Sequence, residues 1–182
     1  MDPVDRAFSV FPRAGFLPAA VRAQAAYDGP LEIGFGQTNS QPRTVADMLR
    51  LLDVRPGQSV LDVGCGSGWT TALLGHLVGP TGRVYGVELV PELVTFGAAN
   101  VARTRQPWVS VQQAEVLGLP EHAPYDRILV SAMADELPQA LRDQLADGGR
   151  MVIPVRGRML LVSGDRVSEH GYYRFVPLVI GK

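Results

Sequence analysis

Three glycines alternate with other residues directly after a short apolar segment, and this turn limits the possible folds more than any other feature. Ser59–Val63 has the composition of a buried strand, Gly64-Cys65-Gly66-Ser67-Gly68 follows, and residues 70–78 suit a helix. Glu88 closes the next apolar segment, 20 residues beyond Gly68. A strand, a glycine turn, a helix and then an acid at a strand end predict an α/β unit that binds a nucleoside at the carboxyl ends of its strands.

The glycine spacing indicates which nucleoside. A dinucleotide fingerprint would place its third glycine at position 69, which is Trp69 here, so the turn suits a nucleoside without a diphosphate. S-adenosylmethionine is the commonest such ligand, and the stretch resembles motif I of class I methyltransferases. On this interpretation the glycines expose bare backbone to the ligand, and Glu88 accepts hydrogen bonds from the two ribose hydroxyls. The simpler alternative is a structural turn with a surface glutamate.

From residue 42 onward, helical and strand patterns alternate, which predicts a mostly parallel sheet with helices on both faces. Helices are expected at Pro42–Leu52, 70–78, 91–103 and 138–145. Strands are expected at Ser59–Val63, 83–87, 109–111, 127–130, 151–153, 159–162 and 173–176. The last two are expected to be antiparallel at an edge, because no helix separates them. Residues 1–40 have little periodicity.

Composition excludes several classes of protein. The net charge is −1, which argues against a generally cationic nucleic-acid binder, and no apolar run approaches the roughly 18 residues of a membrane span. A single cysteine, Cys65, rules out an internal disulfide and suits a reducing cytoplasm. His76, His122 and His170 are isolated, so no metal site is expected.

Segments outside the glycine turn identify a family. The run Leu31-Glu32-Ile33-Gly34-Phe35-Gly36-Gln37-Thr38-Asn39-Ser40-Gln41-Pro42 is similar to the substrate-loop signature of protein-L-isoaspartate O-methyltransferases, P-L-x-I-G-x-G-Q-T-I-S-Q-P. Val10-Phe11-Pro12-Arg13 with Phe16-Leu17-Pro18 resembles the family's V-P-R-x-x-F-L-P segment, and Phe175-Val176-Pro177-Leu178 resembles its terminal strand. The resemblance covers nearly the whole chain.

The resemblance implies a doubly wound, Rossmann-like class I methyltransferase with seven strands. Its expected activity is S-adenosylmethionine-dependent methylation of isoaspartyl and D-aspartyl residues in damaged proteins. The implied cofactor-binding residues are Asp62, Gly64, Cys65, Gly66, Ser67, Gly68, Glu88, Leu89, Ala114 and Glu115. The implied substrate loop contains Gln37, Thr38, Asn39 and Ser40.

Two segments depart from the family pattern. Asn39 stands where the loop signature has Ile, and Gln113-Ala114-Glu115 stands where the family has G-D-G. The family's Asp contacts the adenine amino group, which Ala114 cannot do, so we expect Glu115 or a backbone group to take its place.

The implied reaction needs no general base, because a carboxylic acid with a pKa of about 4 is already ionised at neutral pH. Catalysis is then expected from alignment and from exclusion of water. Ser40, at the predicted N-cap of the Pro42–Leu52 helix, is the main candidate for holding a carboxylate, together with Thr38. The simpler alternative is that Ser40 only caps its helix.

Two other functions remain open at this point. One is a class I methyltransferase for tRNA or a small molecule, and the other is a degenerate S-adenosylmethionine-binding module without turnover. The chain is expected to comprise an N-terminal extension with the substrate loop (1–41) and a methyltransferase domain (42–182), and to act as a cytoplasmic monomer on damaged proteins, without nucleic-acid or membrane partners.

Overall fold

Most of the helices and strands predicted from residue 42 onward are present in the computed structural model, which describes residues 1–179. The end of the predicted 42–182 domain, residues 180–182, lies outside the described residues. The α-helices are α1 (Pro3–Val10), α2 (Pro42–Leu52), α3 (Trp69–Val78), α4 (Pro91–Ala102) and α5 (Gln139–Arg142). The strands are β1 (Leu31–Gly34), β2 (Gln37–Asn39), β3 (Ser59–Val63), β4 (Arg83–Glu88), β5 (Val109–Gln113), β6 (Tyr125–Val130), β7 (Leu145–Val155), β8 (Arg158–Ser163) and β9 (Arg166–Tyr172).

Seven strands form one sheet in the order β5-β4-β3-β6-β7-β8-β9. The pairs from β5 to β7 are parallel, and the β7–β8 and β8–β9 pairs are antiparallel. The predicted fold class is therefore confirmed. Because the chain runs outward from β3 to β5 and then returns to place β6 beside β3, the strand order reverses between β3 and β6. The carboxyl ends of these strands are where such sheets bind ligands.

The central strands form because their residues are buried on both faces of the sheet. Val60 packs on one face with α1, α2 and α3, and its neighbour Leu61 packs on the other with the segment before β6 and with α5. Both side chains are fully buried. Such continuous apolar runs are typical of parallel strands covered by helices on both sides.

The last strand was predicted in the wrong place. Residues 173–176 are not in a strand, and the seventh strand of the sheet is β9, all of whose residues are exposed. Residues 173–179 leave the sheet edge instead, and bridges join Met133 to Pro177 and Ala134 to Val155. The predicted edge position and antiparallel direction are correct.

One other prediction needs correction, and the N-terminal residues contain elements for which no prediction was made. The helix predicted over 138–145 is only the four-residue α5, because the chain enters β7 already at Leu145. The aperiodic residues 1–40 contain α1, which Asp2 caps by accepting a hydrogen bond from the Val4 N–H. They also contain the β1–β2 hairpin.

The β1–β2 hairpin packs against the sheet domain through a small apolar cluster. Leu31 and Ile33 contact Leu17 and Leu93, all of them buried. At the tip, Phe35 has a positive φ of 55° and an exposed ring. Within residues 1–179, no helix has the length and apolar character needed to cross a membrane.

Candidate functional site

A cavity of about 320 Å³ opens at the carboxyl ends of β3, β4, β5 and β6. Its walls come from four strand ends, the β1–β2 hairpin and the segment after β9. Residues that line it include Ile33, Gln37, Thr38, Gly64, Gly66, Glu88, Leu89, Val90, Ala114, Val116, Leu117, Ser131, Ala132, Val176, Leu178 and Val179. The reversal of strand order thus coincides with the cavity, as expected for this class of sheet.

The glycine turn serves two purposes. Gly64, Gly66 and Gly68 all have positive φ, at 75°, 49° and 80°, a conformation that favours glycine. Gly64 and Gly66 line the cavity, but Gly68 does not. A Cβ at Gly68 would lie 2.9 Å from the carbonyl oxygen of Gly97. Gly68 thus lies away from the cavity wall, and its missing Cβ lets α4 approach, whereas contact of Gly64 and Gly66 with a ligand remains a prediction.

Glu88 lines the cavity with its carboxylate held by three backbone N–H groups. Its Oε2 accepts from Gly66 at 3.0 Å, and its Oε1 accepts from Leu89 at 2.8 Å and Val90 at 3.2 Å. The side chain is 8% exposed. A carboxylate has about four acceptor positions, so one remains for a ligand hydroxyl, on Oε2. The sequence analysis assigned a second hydrogen bond, from the other ribose hydroxyl. That hydroxyl would have to compete with the Val90 N–H for Oε1, where the bond of 3.2 Å is the longest of the three.

Asp62 lies beneath the turn and does not line the cavity. Its Oδ2 accepts hydrogen bonds from the hydroxyls of Thr70 (2.7 Å) and Thr71 (2.8 Å) at the start of α3. Its Oδ1 is buried and has no hydrogen-bond partner among residues 1–179. Burial raises the pKa of Asp62 to about 6, although the two threonine bonds oppose that change. Asp62 therefore shapes the turn and holds a buried, costly charge.

A groove of about 510 Å³ adjoins the cavity. Thr38, Ser131 and Val176 line both, whereas Ser40 lines only the groove and a small cleft of about 30 Å³ beside the glycine turn. Cys65 and Ser67 line that cleft rather than the main cavity. Cys65 is buried, and burial raises the pKa of its thiol well above the usual range.

Ser40 is not the N-cap residue that the sequence predicted. Helix α2 begins at Pro42, the residue at the cap position is Gln41, and the Gln41 side chain makes no capping bond. The Arg43 N–H in the first turn donates to Asp28 Oδ1 at 3.1 Å. The Ser40 carbonyl instead accepts a hydrogen bond from Arg13 Nη2 at 3.0 Å. The position of Ser40 beside the groove still allows a role in holding a substrate, which remains a prediction.

The segment after β5 forms an apolar wall. Ala114 lines the cavity, and its N–H donates to the Glu88 carbonyl at 2.9 Å. Glu115 is exposed and does not belong to the cavity wall, so the structure gives no support to a contact between its carboxylate and adenine. Val116, Leu117 and Gly118 continue the wall.

Sequence reasoning missed two residues at this site. Ser131 directly follows β6, and the rule that ligands bind at strand ends could have identified it. Arg13 is 95% buried, and it holds the backbone of the substrate loop by donating to the carbonyls of Asn39 and Ser40. Its position in the family's V-P-R segment was the available signal.

Comparison with known proteins gives one consistent result. A family model described as protein-L-isoaspartate(D-aspartate) O-methyltransferase matches residues 1–179. A protein-L-isoaspartate O-methyltransferase of Methanothrix thermoacetophila is 50% identical over 183 residues, covering 97% of this chain and 87% of its own. Another, of Aeropyrum pernix, is 51% identical over 150 residues, covering 79% of this chain and 56% of its own.

Two solved structures share the fold closely. A protein-L-isoaspartate O-methyltransferase superposes with a TM-score of 0.89 at 27% identity, covering all of this chain and 63% of its own. A Plasmodium falciparum protein, described as a putative enzyme of this kind in complex with S-adenosyl-L-homocysteine, has a TM-score of 0.86 at 26% identity, covering 98% and 91%. This chain thus spans most of some relatives and under two thirds of others. By sequence and by fold, the chain belongs to the protein-L-isoaspartate(D-aspartate) O-methyltransferase family.

Proposed function

We propose that this protein transfers a methyl group from S-adenosylmethionine to the free carboxylate of L-isoaspartyl and D-aspartyl residues in damaged proteins. The observation that carries the proposal is that two spaces, the cavity and the groove, share the wall formed by Thr38, Ser131 and Val176. A nucleoside in the cavity and a peptide in the groove would meet at that wall.

The residues of the cavity fit the cofactor. Gly64 and Gly66 leave room against bare backbone, and a Cβ at Gly66 would lie 3.0 Å from the Ile33 side chain. Glu88 offers an acceptor for a ribose hydroxyl, and Leu89, Val90 and Leu117 supply an apolar surface for a base. When bound, S-adenosylmethionine supplies an electrophilic methyl group on a sulfonium.

This chain's own residues need only position the nucleophile. The substrate carboxylate, with a pKa of about 4, is ionised at neutral pH, so no side chain has to remove a proton. The hydroxyls of Thr38, Ser131 and Ser40 can orient that carboxylate by hydrogen bonds at the shared wall and in the groove. Alignment of this kind can lower a barrier by about 7–11 kcal/mol. The apolar side chain of Val176 would exclude water at the same place.

A methyl-transfer assay tests the proposal. The protein is incubated with methyl-labelled S-adenosylmethionine and an isoaspartyl peptide, and a peptide of the same sequence with normal aspartate is the control. We expect base-labile methyl ester on the isoaspartyl peptide alone. Binding of the cofactor without ester would support a module without turnover, and label in tRNA or a small molecule would support the other class of methyltransferase.

The proposal also covers the oligomeric state, the partners and the cellular compartment of the protein. We expect a monomer, with damaged proteins and not nucleic acid or membranes as partners. The net charge of −1 argues against a nucleic-acid partner. The buried free thiol of Cys65 is compatible with the cytoplasm. Sedimentation of the purified protein, with and without tRNA, would test the oligomeric state and the absence of a nucleic-acid complex.

A further inference from the structure

Three buried polar side chains connect the substrate loop to the glycine turn. Arg13, Asn39 and Ser67 are 5%, 6% and 2% exposed. Arg13 Nε donates to Asn39 Oδ1 at 2.6 Å, and Asn39 Nδ2 donates to Ser67 Oγ at 3.0 Å. The Asn39 amide therefore lies between the two and uses both its acceptor and its donor.

At one end, Arg13 fixes the shape of the loop. Its Nη2 donates to the carbonyls of Gly29, Asn39 and Ser40 at 2.8, 2.9 and 3.0 Å, and its Nη1 donates to that of Tyr27 at 2.9 Å. A guanidinium has five N–H donors in a rigid plane, so a shift of the loop would break several of these bonds together.

At the other end, Ser67 belongs to the turn that faces the cavity. The preceding residue, Gly66, lines the cavity and donates its N–H to the Glu88 carboxylate. The carbonyl of Ser67 accepts from Asn100 Nδ2 at 2.9 Å, which ties the same turn to α4. A movement of the turn on binding of a nucleoside would therefore be transmitted to the Ser67 hydroxyl and from there to Asn39.

We propose that Asn39 is a positioning residue that couples the cofactor cavity to the substrate loop, so that a ligand in either strengthens binding of the other. The inference rests on the proposed function, because it takes the cofactor and an isoaspartyl peptide as the two ligands. An isoleucine, which the family's loop signature has at this position, can make neither hydrogen bond. The coupling would therefore be a property of chains with an amide here.

The coupling is measurable by calorimetry with an unreactive pair of ligands. The affinity for an isoaspartyl peptide is determined with and without saturating S-adenosylhomocysteine. For the wild-type protein we expect the peptide to bind about fivefold more tightly, or better, when the nucleoside is present, and linkage requires the reverse effect to be equal.

Variants at both ends isolate the contact. Asn39→Ile and Ser67→Ala are each expected to reduce the effect to less than about twofold, and Ser67→Ala leaves Arg13 and the loop untouched. Asn39→Asp is expected to retain it, because a carboxylate accepts from Arg13 and the Ser67 hydroxyl can rotate to donate. Ser168→Ala, on the exposed edge strand β9, is the control and should match the wild type.

Two results would overturn the inference. One is a wild-type protein that methylates the peptide but shows no coupling, which leaves the proposed function intact. The other is coupling that stays at the wild-type level in both Asn39→Ile and Ser67→Ala. A wild-type protein that neither binds nor methylates an isoaspartyl peptide would instead remove the proposed function, and the inference with it.

Discussion

At the scale of single residues, the site contains two carboxylates whose surroundings differ. The Glu88 carboxylate accepts hydrogen bonds from three backbone N–H groups, keeps one free acceptor position and faces the cavity. Asp62 is fully buried and has one oxygen without a partner among residues 1–179. Glu88 is thus prepared to accept from a ligand, whereas the charge of Asp62 lowers the stability of the fold.

The Asp62 charge predicts a specific pH dependence. Burial raises the pKa of Asp62 from 3.8 to about 6, so the folded state holds the proton more tightly than the unfolded state. The ionised carboxylate therefore costs about 3 kcal/mol above pH 6, and this cost disappears as the pH falls toward 3.8. The stability of Asp62→Asn relative to the wild type should therefore increase by roughly this amount as the pH is raised from about 4 to about 8.

Urea unfolding of both proteins across this pH range measures the difference. Taking the difference between the two proteins cancels the titration of groups that do not interact with Asp62. Differences that stay constant with pH would show that Asp62 does not titrate in this range.

The contacts of Glu88 predict a loss of cofactor affinity on substitution. Glu88→Gln replaces one acceptor oxygen with an NH₂ group and removes the negative charge. The remaining oxygen must then serve the N–H groups of the turn, and the ribose hydroxyl loses a charge-assisted bond worth about 1.5–3 kcal/mol. We expect the affinity for S-adenosylhomocysteine to fall about tenfold or more. Calorimetry measures this change. Glu115→Gln is the matched control, because Glu115 is exposed and lies outside the cavity wall. An equal loss in both variants would restore Glu115 as a cofactor ligand.

At the scale of secondary-structure elements, the glycine turn depends on the close approach of α4. A Cβ at Gly97 would lie 2.7 Å from the carbonyl oxygen of Gly66, whose backbone lines the cavity. The backbone of helix α4 therefore packs directly against the backbone of the glycine turn. A side chain at position 97 must displace the turn or the helix.

Gly97→Ala should consequently weaken both the fold and the cofactor site. Overpacking of this kind costs about 1–3 kcal/mol, and the displaced turn should lower the affinity for S-adenosylhomocysteine as well. Denaturant unfolding and calorimetry measure the two effects. Gly15→Ala is the control, since a Cβ there would meet no atom of a packing neighbour within 4 Å and its φ is not positive. A Gly97→Ala protein as stable as the Gly15→Ala protein would contradict the close packing.

The elements differ in how far the sequence could define them. The bounds of β3 and α2 agree with the predicted ones because burial gives each a clear pattern of apolar residues. Strand β9 could not be found in this way, since all seven of its residues are exposed and backbone pairing with β8 alone defines it. Tyr173, Phe175 and Val176 suggested a strand, but Val176 is apolar because it covers the cavity.

The sequence likewise predicted some residues of the site and not others. The strand-end rule pointed to Gly64, Gly66 and Glu88, the family resemblance added Ala114, and all four line the cavity. It could not say which way the side chain of Glu115 points, because the segment after β5 has no regular periodicity. The contacts of Arg13 and Asn39 join residues 26 positions apart through side chains, and local pattern does not encode such contacts.

At the scale of the whole molecule, the predicted boundary near residue 41 crosses a shared core. Val4, Ala7 and Phe16 belong to the same apolar cluster as Val45 and Trp69. The Trp69 indole also donates to the Phe11 carbonyl at 2.9 Å. The division into 1–41 and 42–182 remains a proposal about organisation, and this packing favours a single cooperative unit over an independent extension.

A pair of substitutions on α1 tests whether the N-terminal segment stabilises the rest. Val4 is 5% exposed and Val10 is 49% exposed, although both lie on the same helix. Val4→Ala should lower the free energy of unfolding by about 1–3 kcal/mol, because it removes buried methyl groups from the shared core. Val10→Ala should change it by less than about 0.5 kcal/mol.

The readout must report on the domain rather than on α1. Trp69 fluorescence is unsuitable, because the Trp69 ring contacts Phe8 and its indole donates to the Phe11 carbonyl in the N-terminal segment. Far-UV circular dichroism during urea unfolding follows mainly the helices and strands of the sheet domain. If residues 1–41 fold separately, the circular-dichroism transition of Val4→Ala will coincide with that of the wild type. If they share one core, that transition will move to lower urea concentration as a single step, while Val10→Ala stays with the wild type. The second outcome is expected, because free energy lost at a buried contact is lost by every element that unfolds with it.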